Sequence, residues 1–266
     1  MNIVAYPNAK LNIGLHILGK RGDGYHNIET LFFPYYNLTD ILEIVESDCF
    51  GISRYGLHYE GDIENDLTYK AYRVLQKDFD LPDIQIYLYK NIPTGAGLGG
   101  GSSDAAFTLI ALNKLLSLNL SDNELTQYAS RLGSDIPFFI YNTPMLGEGR
   151  GEILNPYHSE SIDELMNPSG RYQIEVVTPD IHISTAEAYA AITPRNISGK
   201  SSASLSELLK LPIEEWRDNI VNDFEESIFK IAPQLKAIKE SFYEKGAVYA
   251  SMSGSGSSIY GVFHRQ

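Results

Sequence analysis

A chain of 266 residues with 43% hydrophobic content can bury a sizeable core, and at roughly 100–200 residues per domain it is expected to form two domains. Its 34 acidic against 21 basic residues give a formal charge of -13 with no clustered cations, which argues against nucleic acid or an anionic membrane as partner. The single cysteine, Cys49, excludes an internal disulfide framework and fits a reducing compartment.

The opening residues Met1-Asn2-Ile3-Val4-Ala5-Tyr6 lack the basic start and apolar run of a signal peptide. No stretch reaches the ~20 apolar residues of a membrane span, so a soluble, cytoplasmic protein is expected. The 6 histidines fall in no H-E-x-x-H or cysteine-paired pattern, so no dedicated metal site is predicted and any metal should arrive with a substrate.

Apolar residues from Ile3 to Ile17 are spaced as in strands, and residues 38–45 read as another, with the basic, glycine-rich Gly19-Lys20-Arg21-Gly22-Asp23-Gly24 between them. Leu67, Ala71, Val74 and Leu75 share a helical face; Ile84, Ile86 and Leu88 then alternate as a strand that runs into a glycine-rich loop. Residues 103–118 are apolar on almost every side and predict a buried helix. Ser121 and Glu124 form a capping box for a helix with the face Leu125, Tyr128, Ala129 and Leu132, and Gly133 is its expected stop. Ser134-Asp135-Ile136-Pro137 follows directly. Residues 155–170, polar and with two prolines, are expected to connect the domains. A strand at 172–177, helical patterns from about Thr185, Ser204, Pro212 and Pro233, and strands near Val248 and Ile259 complete an α+β order of elements.

The most informative stretch is Pro93-Thr94-Gly95-Ala96-Gly97-Leu98-Gly99-Gly100-Gly101-Ser102-Ser103-Asp104-Ala105-Ala106, in which a strand exit with five glycines feeds a helix. Glycines admit positive φ and put no Cβ in the way, while the free amides and dipole of the following helix stabilise oxyanions. Ser102 and Ser103 add hydroxyl donors or a magnesium ligand. A Walker loop needs lysine and then Ser or Thr after its last glycine, and Gly101 is followed by Ser102. Gly95 to Gly100 matches the G-x-G-x-x-G of dinucleotide folds. The acidic residue expected about 20 positions later, however, would fall at 113–122, which reads as a helix end and cap. A glycine turn without any ligand would be unusual at the mouth of a buried helix.

From Pro93 to Ala106 the loop resembles the phosphate loop P-x-x-x-G-L-(G/x)-S-S-x-A of the GHMP kinases, the galactose, homoserine, mevalonate and phosphomevalonate group. Its longer form resembles family members that act on a cytidine diphosphate substrate. Pro7-Asn8-Ala9-Lys10-Leu11-Asn12-Ile13-Gly14-Leu15 resembles the family's first motif, and Arg21-Gly22-Asp23-Gly24-Tyr25-His26 a substrate loop. The resemblance implies that Lys10 is the active-site cation, that Asn12 helps to align the substrate, and that Tyr25 and His26 hold the cytosine end. Read without it, Lys10 is a solvated charge or a phosphate contact, and Tyr25-His26 is ordinary packing or a nucleobase stack.

Leu132-Gly133-Ser134-Asp135-Ile136-Pro137-Phe138-Phe139 resembles the segment with the family's catalytic aspartate, which implies that Asp135 is the base. By position alone Asp135 reads as a cap or turn residue. Ser251-Met252-Ser253-Gly254-Ser255-Gly256-Ser257-Ser258 resembles the loop that closes the family's site near the transferred phosphate; otherwise it is a flexible turn. Ile183-Ser184-Thr185-Ala186-Glu187-Ala188-Tyr189 corresponds to a stretch in which Thr185 and Tyr189 would line the cytidine pocket.

The chain departs from the family at Glu64-Asn65-Asp66-Leu67, where Asp-Asn-Leu is usual, so either Asn65 or Asp66 would face adenine. It also stops soon after its last predicted strand, where relatives continue through another helix and strand. A shortened or differently closed second domain with a less stable sheet edge is therefore expected. The resemblance implies a two-domain α+β GHMP kinase architecture. An ATP-binding domain over 1–155, like ribosomal protein S5 domain 2, would precede a ferredoxin-like substrate domain over 156–266. ATP, with Mg2+ bound to it, would phosphorylate a hydroxyl of a small cytidine diphosphate substrate. Another family member indifferent to cytidine, a dinucleotide-dependent oxidoreductase and a non-catalytic nucleotide-binding module are the competing readings.

Overall fold

The computed structural model describes residues 1–59, 61–192 and 203–265. These fall into two compact units, each drawn from several stretches of chain: Met1–Lys10, Pro34–Thr94 and Gly99–Thr143 in the first, and Leu11–Phe33, Gly95–Leu98 and Pro144–Gln266 in the second. Among the described residues no helix is long and apolar enough to cross a membrane.

The first half opens with strands β1 (Asn2–Ala5), β2 (Asn8–Lys20), β3 (His26–Thr39), β4 (Ile41–Glu46) and β5 (Gly51–Gly56), then α1 (Leu67–Gln76) and β6 (Ile84–Lys90). Helices α2 (Gly100–Leu115), α3 (Asp122–Ser130) and α4 (Ile136–Tyr141) follow. In the first unit the sheet order is β1-β4-β6-β5, with only the β5–β6 pair parallel. Strand alternation puts Leu42, Ile44, Ile84, Ile86 and Leu88 inside, while Ile41, Tyr87 and Tyr89 stay exposed. Helix α2 packs against α1, β1 and β4, its Ala105 and Ala106 allowing close approach.

Three expectations are corrected here. Residues 38–45 are not one strand: the chain breaks at Asp40, whose Oδ1 accepts the amides of Asn91 at 2.6 Å and Ile92 at 2.8 Å. The buried helix begins at Gly100, before residue 103, and ends at Leu115, because Ser117 and Asn119 turn left-handed at φ 52 and 59. Helix α3 carries the expected capping box but ends at Ser130, with Arg131 as C-cap, so Gly133 lies beyond its stop. Strand β5 escaped the sequence reading because a short parallel strand brings no hairpin turn with it.

The second half contains β7 (Met145–Glu148), β8 (Ile153–Pro156), α5 (Glu160–Met166), β9 (Tyr172–Val177) and α6 (Thr185–Ala190). It continues with α7 (Leu205–Leu208), α8 (Trp216–Asn219), α9 (Glu225–Ile231), α10 (Pro233–Glu244), β10 (Tyr249–Met252) and β11 (Ile259–His264). One sheet runs β2-β3-β7-β8, and the other β10-β11-β9, antiparallel. Leu15, Ile17, Phe224, Leu235, Phe242 and Met252 belong to one buried cluster of the second unit.

Residues 155–170, expected as a connection, instead finish β8 and form α5, which Ser159 caps by accepting the Ile162 amide. With only Ser161 and Ile162 buried, this helix is too short to show a period. The last strand, β11, sits between β10 and β9, which form the two edges of this sheet among the described residues.

Candidate active site

The first unit brings Lys10 and Asp135 together. Lys10, in β2, is 4% exposed, and its ammonium lies 3.6 Å from Asp135 Oδ2. Burial lowers the pKa of Lys10, and the negative charge of Asp135 opposes that shift. The solvated-surface reading of this lysine is thereby excluded. Asp135 occupies the cap position of α4, yet its side chain makes no capping hydrogen bond. Its carboxylate is directed to the lysine rather than spent on the helix end.

Gly99 (φ +73) precedes the first turn of α2, and a Cβ there would come within 3.0 Å of Lys10 Cγ and of the Phe139 ring. The glycine lets the loop close over the lysine stem and leaves the first α2 amides without intrahelical partners. Ser102 is partly exposed, whereas the Ser103 hydroxyl is buried and has no hydrogen-bond partner among the described residues.

Beside this turn lies a pocket of about 160 Å³ lined by Arg54, Tyr59, Asn65, Asp66, Leu67, Thr94, Gly101 and Asp104 among others. Asp66 caps α1: Oδ1 accepts the Thr68 amide at 2.9 Å and hydroxyl at 2.7 Å. Oδ2 accepts the Tyr59 hydroxyl at 2.7 Å and Arg54 Nε at 3.0 Å. Burial pushes this carboxyl up, but the Thr68 and Tyr59 hydrogen bonds and the Arg54 charge outweigh it, and its pKa ends below 3.8. Asn65 is exposed and its amide makes no side-chain hydrogen bond among the described residues.

A folded value below the unfolded one means that Asp66 contributes stability above pH 3.8, lost as pH falls through its lowered value. Asp66→Asn should therefore cost about 1–3 kcal/mol at pH 7. The gap to the unaltered chain should narrow in acid below that range, as checked by urea unfolding across pH.

The second unit carries the other predicted residues. Gly97 (φ +78) runs so close to the serine-glycine loop that a Cβ would sit 2.1 Å from the Ser253 carbonyl oxygen. Ser253 Oγ donates to the Gly97 carbonyl at 2.9 Å, and the Ser258 amide to the Ala96 carbonyl at 3.1 Å. Asn222 Nδ2 donates to the carbonyls of Met252 at 2.8 Å and Gly254 at 2.7 Å. Gly97→Ala is expected to lower stability by about 1–3 kcal/mol and to displace the loop, read as a lower melting temperature.

His26 stacks on Tyr189 with ring centroids 5.0 Å apart and planes 16° apart, and Tyr189 meets Phe224 edge-on. Tyr25 is 56% exposed, with the Arg150 guanidinium 4.9 Å over its ring. Thr185 Oγ1 lies 3.3 Å from Ser255 Oγ. Thus Tyr25, His26 and Tyr189, distant in sequence, share one unit with Thr185 and the serine-glycine loop. Asn12 stands two residues after Lys10 in β2, on the same strand face by its period. Sequence reasoning missed Arg150 and Asn222, which lie in no motif, and whose types carry no signal without the contact.

The pattern described as GHMP kinases N terminal domain matches residues 66–143, and that described as GHMP kinases C terminal matches residues 204–266. The 4-diphosphocytidyl-2-C-methyl-D-erythritol kinase of Azobacteroides pseudotrichonymphae genomovar. CFP2 is 47% identical over 263 residues, 99% of this chain and 94% of its own. The protein of that name from Bacteroides thetaiotaomicron is 48% identical over 265 residues, 98% of this chain and 92% of its own. A crystal structure of 4-(cytidine 5'-diphospho)-2C-methyl-D-erythritol kinase matches with TM-score 0.80 at 30% identity, over 97% of this chain and 89% of its own. A homoserine kinase from Cytophaga hutchinsonii shares the fold at TM-score 0.65 and 17% identity, over 100% of this chain and 86% of its own.

Proposed function

The chain belongs to the GHMP kinases, and from that premise we propose that it transfers the γ-phosphate of ATP to the 2-hydroxyl of 4-diphosphocytidyl-2-C-methyl-D-erythritol in the non-mevalonate isoprenoid pathway. Its fold is the two-domain α+β architecture of that family. The observation that carries the catalytic reading is the buried Lys10 beside an Asp135 carboxylate that caps nothing.

Asp135 accepts the proton of the substrate hydroxyl as its oxygen bonds to the γ-phosphorus and the bond to the β-phosphate oxygen breaks, releasing ADP. Lys10 orients that carboxylate and offsets charge on the transferring group, a need sharpened by a chain of charge -13. Pro93 to Ser103 hold the β- and γ-phosphates, because Gly95, Gly97 and Gly99 take positive φ values that favour glycine and the start of α2 offers free amides. The purine enters the 160 Å³ pocket, where Asn65 reads its edge, the Asp66 carboxylate being already saturated.

Magnesium carried in by the triphosphate would neutralise phosphate charge, with Ser102 as the hydroxyl placed to hold it. The hydroxyl donors at the start of α2, a partly exposed Ser102 beside a buried Ser103 hydroxyl that has no hydrogen-bond partner among the described residues, fit an ion bound mainly by phosphate oxygens. Asn12 aligns the acceptor, and Tyr25, His26, Thr185 and Tyr189 hold its cytidine end; a cytoplasmic location goes with ATP as donor.

His26→Ala should raise the KM for the cytidine substrate roughly tenfold, by loss of one stacking contact, with the KM for ATP unchanged. The deciding experiment is ADP release from Mg-ATP with 4-diphosphocytidyl-2-C-methyl-D-erythritol, homoserine or mevalonate as acceptor. Selective turnover of the first supports the reading; preference for either of the others would overturn it.

A further inference from the structure

Asn222 lies between α8 and α9, and within the second unit its backbone is held on both sides by β2. The Leu15 amide donates to the Val221 carbonyl at 3.0 Å and the Asp223 amide to the Leu15 carbonyl at 2.8 Å, while Asp223 Oδ2 accepts the Ile17 amide at 2.8 Å. The Asn222 side chain between these anchors is buried, with Nδ2 facing the carbonyls of Met252 and Gly254 and Oδ1 accepting the Phe224 amide at 3.0 Å. A carbonyl only accepts and an amide N–H only donates, so one carboxamide orientation satisfies all three. Both Nδ2 protons are thereby spent on the two residues that flank Ser253.

Ser253 is the junction that this grip fixes. It is fully buried, and its hydroxyl donates to the Gly97 carbonyl at 2.9 Å while accepting the Asn12 amide at 3.2 Å. One serine therefore joins the glycine loop to β2. The contact with Gly97 is also one of backbone on backbone, since a Cβ on Gly97 would sit 2.1 Å from the Ser253 carbonyl oxygen. Close-packed groups of this kind move together, so a shift of Ser253 is passed on to Gly97. Without the Asn222 donors, the carbonyls on either side of Ser253 lose a buried hydrogen bond each, and that shift is the way to relieve the loss.

We propose that Asn222 is a positioning residue for phosphoryl transfer: it holds Ser253, and through Ser253 the Gly97 turn of the phosphate loop, in the geometry that receives the triphosphate. The inference rests on the proposed function, in which that loop holds the β- and γ-phosphates. The chemistry required at this position is two donors on one nitrogen, which an aspartate of the same shape cannot supply.

The test is a double-mutant cycle of Asn222→Asp and Ser253→Ala, measured as kcat and KM for both substrates under conditions in which urea unfolding shows each variant folded. Asn222→Asp keeps the shape and sets an acceptor oxygen against the two carbonyls. It should raise the KM for ATP roughly tenfold, as the loss of one to two hydrogen bonds would, and leave the KM for the cytidine acceptor within about twofold. Ser253→Ala should raise the same constant by itself, and in that background Asn222→Asp should cost little further. A role confined to stability would lower the unfolding midpoint and leave both KM values of the folded enzyme where they were. If the aspartate variant does not fold, Asn222→Ser, whose hydroxyl keeps one donor, replaces it and should show a smaller rise in the KM for ATP. A KM for ATP within about twofold of the unaltered chain, an equal rise in both KM values, or the same fold-loss in both backgrounds would overturn the proposal. Turnover by the unaltered chain in the same assay tests the proposed function alone, so the two failures are distinguishable.

Discussion

Asp135→Asn is expected to lower kcat by about 10²–10⁴-fold. The substitution keeps size and shape and removes the basic carboxylate. Because the Asp135 side chain makes no capping hydrogen bond, α4 loses no cap with it. The change also reaches Lys10, whose protonated form is disfavoured by burial and supported by the Asp135 charge. Without that charge the lysine pKa should drop further, so one substitution weakens both groups. Lys10→Met and Asp135→Asn should therefore be far from additive, the double variant falling little below the worse single one. ADP release with the cytidine acceptor measures this. A kcat within a few-fold of the unaltered chain would return Asp135 to the role of a turn residue.

The largest loss of stability is expected from Lys90→Met. The Lys90 ammonium is buried, 2.5 Å from Asp104 Oδ2, and also bonds Asp40 Oδ2. Burial by itself would lower the lysine pKa, but the two carboxylates outweigh it and raise it. For Asp104 burial dominates, and with the nearby Asp40 charge it pushes the carboxyl well above 3.8 despite Lys90. Removing the cation leaves two buried carboxylates without a counterion, which should cost about 3–5 kcal/mol, or roughly 10 °C in melting temperature for a chain of this size.

The pH dependence follows from the signs. A raised lysine value means that its contribution persists below the unfolded value of 10.5 and is lost as pH rises through the folded one. In the Lys90→Met variant the deficit should shrink on acidification, because a protonated Asp104 needs no counterion, and that recovery should begin above pH 3.8. Urea unfolding at neutral and mildly acidic pH checks the recovery on acidification. An equal deficit at the two pH values would show that the loss is one of packing and not of charge. The triad lies beside the first turn of α2, since a Cβ on Gly100 would come 3.3 Å from Lys90 Nζ, so the KM for ATP should rise as well.

Much of this protein was legible before any coordinates. Local rules act within a few residues, so the strand alternation at Ile84, Ile86 and Leu88, the Ser121–Glu124 capping box and the glycines that open α2 could be read directly and are found in place. The resemblance of several separated blocks, in order, carried the family. What only the tertiary structure decided are properties of contacts between residues far apart in the chain. Lys10 reads as a solvated lysine until Asp135 and Gly99 are beside it, and Asp135 reads as a cap until its side chain is seen to make no capping bond. Asp40 interrupts a strand because amides 51 and 52 residues later need an acceptor, and Asp66 rather than Asn65 is saturated because Arg54 and Tyr59 reach it. Periodicity and capping are written in neighbouring residues, whereas burial, desolvation and the partner of a charge are set by chain segments that only folding brings together.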